Sequence, residues 1–297
     1  NVSNGTDFSH MFCEVSEFDQ DLSEWDVSNG TNFSRMFSGA EAFNQDIGSW
    51  DVSNGTDFSY MFYEVSDFDQ DLSEWDVSNG TNFEFMFARA STFNQDLSSW
   101  DVSSGTDFSD MFAHATKFDQ DLSNWDVSNG TDFKYMFYNS DLFNGEIGSW
   151  DVSNGTDFHS MFGYAESFNK SLNSWNVSKV TNLKRMFFEA EKFNQPLDNW
   201  VLSPQLTKLE YVFQEANSFN SSLDNWGTTN ITQLRGVFLG ADAFNQDLNT
   251  WDVSEVTRMD QLFKNATSFN GNIDNWQVQK VTHLSETFRN ARNFARD

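Results

Sequence analysis

The chain has 297 residues, 38% of them apolar, and a formal net charge of −28. That apolar share suffices for a sizeable core, whereas so acidic a chain repels phosphate backbones, which speaks against nucleic-acid binding. The one cysteine, Cys13, excludes an internal disulfide, and no stretch reads as a membrane span or a secretory leader.

Tryptophan recurs every 25 residues from Trp25 to Trp200, and then at Trp226, Trp251 and Trp276. A fixed period of that size marks a solenoid in which each unit stacks on its neighbours. Residues 1–297 thus read as a single solenoid of about twelve 25-residue units. Because the chain opens and closes inside a unit, it reads as a processed form or a piece of a longer array.

The stretch Phe43 to Ser66, FNQDIGSWDVSNGTDFSYMFYEVS, represents the unit. The alternation Trp50, Asp51, Val52 predicts a short strand with Trp and Val inward, paired in parallel with the next unit at about 4.8 Å. Ser-Asn-Gly follows as a turn. Phe58, Met61, Phe62 and Val65 then fall at helical spacing, which predicts a two-turn helix from about Asp57 to Ser66. Threonine precedes it in all twelve copies, and Thr6, Thr31, Thr56, Thr81, Thr106 and Thr131 are expected as its N-caps. The expected fold class is an α/β repeat solenoid. Two Phe columns, Phe12 to Phe288 and Phe18 to Phe294, are expected as stacked core ladders.

Residues 1–164 form a homogeneous acidic segment with Gly in the turn and Phe three residues on, as in Gly30 and Phe33. Residues 165–297 diverge, with Val, Leu or Ile in place of that Gly, Leu or Met in place of that Phe, and one inserted residue near Pro204. The exchange is paired in every unit, so the Phe ring is expected to fill the space that the missing Val side chain leaves. Recent duplication accounts for the same pairing. Charge follows the division: residues 1–150 hold 28 acids and 4 bases, and the remainder 17 acids and 13 bases.

Three periodic polar features bear on function. The tripeptide N-x-S/T makes Asn4, Asn29, Asn54, Asn79, Asn129, Asn154, Asn176, Asn230 and Asn265 glycosylation candidates, with further copies at Asn1, Asn32, Asn169 and Asn220. Turn chemistry and capping alone would produce the same tripeptide. Asp26, Asp51, Asp76, Asp101, Asp126 and Asp151 line up six like charges, which need hydrogen bonds to Ser or backbone N–H groups, or a bridging calcium ion. Asp21, Asp46, Asp71, Asp96 and Asp121 would assist such an ion. The column from Asp19 to Asn270 holds only Asn or Asp, as side chains locked to backbone groups inside a turn do. Possible calcium aside, no cofactor is expected. The four histidines fall in different columns, and no phosphate loop, nucleophile elbow or metal-ligand spacing occurs. These absences point away from an enzyme.

The blocks W-D-V-S, M-F and F-N-Q-D-L, in that cyclic order along the chain, resemble the 25 to 26 residue repeat of bacterial surface proteins, usually grouped with BspA-type leucine-rich repeats. The departure is Gly30 and its equivalents, where that family usually has Val. The resemblance implies a leucine-rich-repeat-like solenoid at a cell surface or outside the cell, with no catalytic residue. The function expected is a surface or structural glycoprotein, adhesin-like or part of a filament or sheath. The alternative is a module that recognises calcium or glycans through its acidic sheet face. Partners would be proteins or glycans at a cell surface, or further copies of the chain.

Overall fold

A computed structural model describes residues 2–295, over which the chain winds as a coil of twelve turns. Each unit meets the next at a single-residue parallel bridge. The bridges link Asp7, Asn32, Asp57, Asn82, Asp107, Asp132, Asp157 and Asn182 in succession, then Lys208, Gln233, Arg258 and His283. Among the described residues there is no helix.

The stretch Asp57 to Ser66, expected as a helix, is a run of linked turns. Met61, Tyr63 and Val65 donate backbone N–H groups to the carbonyls three residues back, while Phe58, Tyr60, Phe62 and Glu64 donate theirs to the next unit, at 2.8 to 3.0 Å. Half of the amides thus leave the unit, and a helical i to i−4 ladder cannot form. Tyr60 and Glu64 have φ of 57° and 59°, and the corresponding two columns account for every positive φ among the described residues. Left-handed backbone costs roughly 1–2 kcal/mol per non-glycine residue, and the bonds that the same two amides give to Glu84 and Ala88 offset it. Spacing fixed the inward residues correctly, since Phe58, Met61, Phe62 and Val65 are all fully buried. It did not fix the backbone.

The capping role expected of Thr6, Thr31, Thr56, Thr81, Thr106 and Thr131 falls with the helix. The hydroxyls of Thr31, Thr56, Thr81, Thr106 and Thr131 donate instead to the carbonyl of the preceding unit's threonine, at 3.1 to 3.2 Å, and Thr6 supplies the first such carbonyl. Nor is there a strand at Trp50–Val52. The amide of Ser53 is held by the Asp51 carboxylate, and turns close from Ile47 to Trp50 and from Val52 to Gly55. Strand pairing shrinks to the bridge column, one residue past each threonine.

Inside the coil the Phe ladders form as expected: Phe62 stacks on Phe87 of the next unit at 5.5 Å and on Phe68 of its own at 4.2 Å. Trp100 and Trp125 stack at 6.4 Å with their planes 2° apart. Each buried indole N–H needs an acceptor, and Trp100 finds it in the Leu72 carbonyl at 2.9 Å, a bond that recurs from Trp50 to Trp276.

Two turn-closing bonds locate the inserted residue. Val180 closes on Val177, two residues past Trp175, whereas Leu206 closes on Ser203, three past Trp200. The extra residue therefore lies at Val201–Leu202, and Val201 is exposed. Between Asn182 and Lys208 no bridge forms among the described residues, and a cavity of about 370 Å³ opens between Thr181 and Thr207. The core passes through: Trp200 stacks on Trp226 at 6.0 Å and Phe187 on Phe213 at 5.5 Å.

Candidate functional site

The sequon column lies on the turn that follows Trp. Asn29, Asn54, Asn79, Asn129 and Asn154 each donate Nδ2, the atom a glycan would occupy, to a serine carbonyl of the preceding unit at 2.7 to 2.8 Å. An amide nitrogen carries two hydrogens, so a sugar there leaves one for this ladder. Asn4 and Asn230 are exposed. Asn176 stands instead in the aspartate column, where its Oδ1 accepts from the Ser178 amide at 3.1 Å. Asn265 is half-buried with φ of 61° and accepts from Asn290 Nδ2 at 3.0 Å. Asn1 lies outside the described residues.

The aspartates beside Trp each close a small turn with the serine two residues on. Asp26, Asp51, Asp76, Asp101, Asp126 and Asp151 accept from the amides of Ser28, Ser53, Ser78, Ser103, Ser128 and Ser153 at 3.0 to 3.2 Å. The Ser28, Ser103 and Ser153 bonds hold the Asp26, Asp101 and Asp151 carboxyls below the usual carboxylate range. Among the described residues no three His, Cys, Asp or Glu side chains gather into a metal cage. The Asn/Asp column is a ladder as well: Asn94 Oδ1 accepts from the Asp119 amide at 2.9 Å and from Gln120 Nε2 at 2.8 Å. The acceptor relation runs between units rather than within a turn.

These columns nearly repeat themselves from unit to unit. Another face does not. The first positive-φ column runs His10, Arg35, Tyr60, Phe85, Asp110, Tyr135, Ser160, Arg185 over eight units; the second runs Glu14, Gly39, Glu64, Arg89, His114, Asn139, Tyr164, Glu189. Beside them stands the column of Cys13, Ser38, Tyr63, Ala88, Ala113 and Tyr138. Cys13, at the head of this last column, is half-buried. Variation among otherwise near-identical units was the signal that would have found this face.

Its aromatic residues touch one another. Arg35 lies 3.9 Å over the Tyr60 ring, and Tyr60 stacks on Phe85 at 4.6 Å. Further on, Tyr135 meets His159 at 4.8 Å, Tyr138 meets Tyr164 at 5.4 Å, and Tyr164 meets Phe188 at 4.8 Å. Arg185 and Arg235 both lie over the Tyr211 ring, at 5.5 and 5.3 Å. Burial raises the Tyr60, Tyr63 and Tyr138 hydroxyls above the usual phenol range, so they stay protonated donors.

Between Phe85 and Tyr135 the row is interrupted by Asp110, leaving a cavity of about 270 Å³ floored by Ala88 and Ala113. Asp110 is 9% exposed. Burial pushes its carboxyl up to about 7, with Glu84, Asp132 and Asp107 adding to the rise and Lys134 opposing it. Neither nearby cation neutralises it: Lys134 pairs with Asp132 at 2.8 Å and Arg89 with Glu64 at 3.2 Å. Burial, with the Arg89 charge behind it, lowers His114, which is therefore neutral at pH 7.

Fold and face together define a tandem-repeat solenoid, locked by unit-to-unit ladders and free to vary along one side. The chain belongs to the family described as "Mycoplasma protein of unknown function, DUF285", whose model matches residues 1–89, 56–145, 126–207 and 203–297. No curated protein matches. Among solved structures, a TLR13–ssRNA13 complex is similar at 9% identity and a TM-score of 0.26, over 90% of this chain and 48% of that one. The leucine-rich-repeat ectodomain of the plant membrane receptor kinase GASSHO1/SCHENGEN3 from Arabidopsis thaliana, in complex with CASPARIAN STRIP INTEGRITY FACTOR 2, is similar at 11% identity and a TM-score of 0.26, over 84% of this chain and 33% of that one. At these TM-scores neither likeness bears on fold or function. Among the described residues no helix is long and apolar enough to cross a membrane.

Proposed function

We propose that this chain is a non-enzymatic repeat protein of the cell exterior, adhesin-like and of the BspA-type surface group, whose variable face recognises a protein partner. One observation carries the reading. Units that otherwise nearly repeat one another differ at the positions from Tyr60 and Tyr63 through Tyr135 and Tyr138, where exposed and half-exposed aromatic and charged side chains cluster. Such residues dominate binding energy where partners meet, and a structural spacer would have no use for the variety. The repeated sides are occupied in holding neighbouring units together.

The test compares two variants against a panel of extracellular-matrix proteins and host-cell surfaces. In the face variant, Tyr63→Ala, Phe85→Ser, Tyr135→Ser and Tyr138→Ala import residues that the same columns hold elsewhere, at Ala88 and Ser160. In the back variant, Asn54, Asn79 and Asn129 become Gln. Loss of binding in the face variant alone supports the reading. Loss in the back variant alone, or binding by both at the wild-type level, overturns it and favours a sheath or filament component whose sequon side makes the contacts.

A further inference from the structure

We propose that the interruption of the aromatic row at Asp110 is a binding site for the guanidinium of an arginine side chain, presented by the protein partner of the variable face. The inference rests on the recognition reading and deepens it.

The geometry is that of a missing rung. Phe85 and Tyr135 occupy the same column two units apart, which at about 4.8 Å per unit separates them by about 9.6 Å. A flat group midway would lie about 4.8 Å from each ring. The column's own adjacent pair keeps that spacing, with 4.6 Å from Tyr60 to Phe85. Between them the space is open, with Tyr63 and Tyr138 at its ends and small Ala88 and Ala113 beneath.

Chemistry selects the occupant. Asp110 lines the cavity, is nine-tenths buried, and among the described residues has no hydrogen bond from its carboxyl to any side chain. Buried carboxylates without partners are costly, and the two cations within reach are held by other acids. A visitor that is both planar and cationic satisfies the rings and the carboxylate at once, and a guanidinium is that group. The chain supplies its own precedents on this face, with Arg35 over Tyr60 at 3.9 Å and Arg235 over Tyr211 at 5.3 Å. Glu84, Asp107 and Asp132 add negative charge around Asp110; of the lining residues Arg89 carries the opposite sign and is paired with Glu64, while His114 is neutral.

The probe is the peptide acetyl-Gly-Arg-Gly-amide, titrated into the whole chain while the methyl signals of Ala88 and Ala113 are followed by NMR. The citrulline peptide keeps the shape without the charge, and the lysine peptide keeps the charge without the plane. Saturable shifts are expected with arginine, at least tenfold weaker binding with citrulline, and several-fold weaker binding with lysine. Because the bound cation favours ionised Asp110, binding near pH 7 should release a proton. Asp110→Asn, which keeps the shape and removes the charge, should weaken arginine binding at least tenfold without lowering the melting temperature. Ala113→Leu, which fills the floor, should abolish it. Equal binding of arginine and citrulline, an unchanged Asp110→Asn variant, or lysine binding as well as arginine would overturn the assignment. A partner that depends on the face while the arginine peptide shifts nothing defeats this inference alone. Absence of any face-dependent partner defeats the recognition reading.

Discussion

A Cβ placed on Gly30 would stand 2.4 Å from Cζ of Phe33, and the same overlap recurs from Gly55 and Phe58 to Gly130 and Phe133. No positive φ requires these glycines. The Phe ring takes the room that a side chain at the turn would fill. In the later units Val180 and Leu183 share that volume, and both are fully buried.

The pair must therefore change together. Gly105→Val alone should destabilise by overpacking, about 1–3 kcal/mol, and Phe108→Leu alone by leaving a void. The double variant recreates the later pairing and should recover most of the loss. Urea unfolding of the four proteins checks this, with an expected coupling of about 1 kcal/mol or more.

The Asn/Asp ladder asks only for an accepting oxygen, which is why Asp69 and Asn94 alternate in it. Asn94→Ala removes the acceptor for the Asp119 amide and for Gln120, at a cost of about 1–2 kcal/mol. Asn94→Asp keeps an acceptor and should cost less than half of that. Thermal melts of both variants decide.

Asp110 gives stability a particular pH dependence. Its carboxyl titrates at about 7 in the folded chain, against the ordinary 3.8. Well below pH 3.8 both states are protonated and the group has no effect. As pH rises from about 4 to 7 the unfolded chain releases the proton first, so stability falls over that window and then levels off. Asp110→Asn should flatten this fall, so that its melting temperature exceeds the wild type's by more at pH 7.5 than at pH 4.

The aspartates beside Trp are satisfied by serine, as in the 2.6 Å bond from the Ser53 hydroxyl to Asp51. Chelator should leave the melting temperature unchanged, and Ser28→Ala with Ser53→Ala, which removes the hydroxyl bonds to Asp26 and Asp51, should lower it. A drop of several degrees with chelator, restored by calcium, would show the column to be bridged by the ion.

Much of this architecture was legible in the residues. The period, the stacked Phe and Trp columns and the Gly–Phe exchange follow from comparing the units with one another. Helix and strand were misread for one reason: Phe58, Met61, Phe62 and Val65 have helical spacing, but two left-handed residues per unit give the same inward set while turning half of the amides toward the neighbour. Tyr60 and Glu64 carry no sign of it, because glycine, the usual marker of positive φ, stands in these columns only at Gly39, Gly236 and Gly240. The variable face was visible as variety. Asp110 could not be singled out, since its interest lies in the rings one unit to either side.

A substitution scan of residues 101–125, scored separately for folding and for partner binding, tests the division between holding sides and reading side. Positions 110, 113 and 114 are expected to accept substitution to the residues their columns hold elsewhere without loss of folding, and to set binding. Positions 106, 112, 118 and 125 are expected to fail in folding. Binding that follows folding at every position, with no residue that alters one and spares the other, would contradict the account.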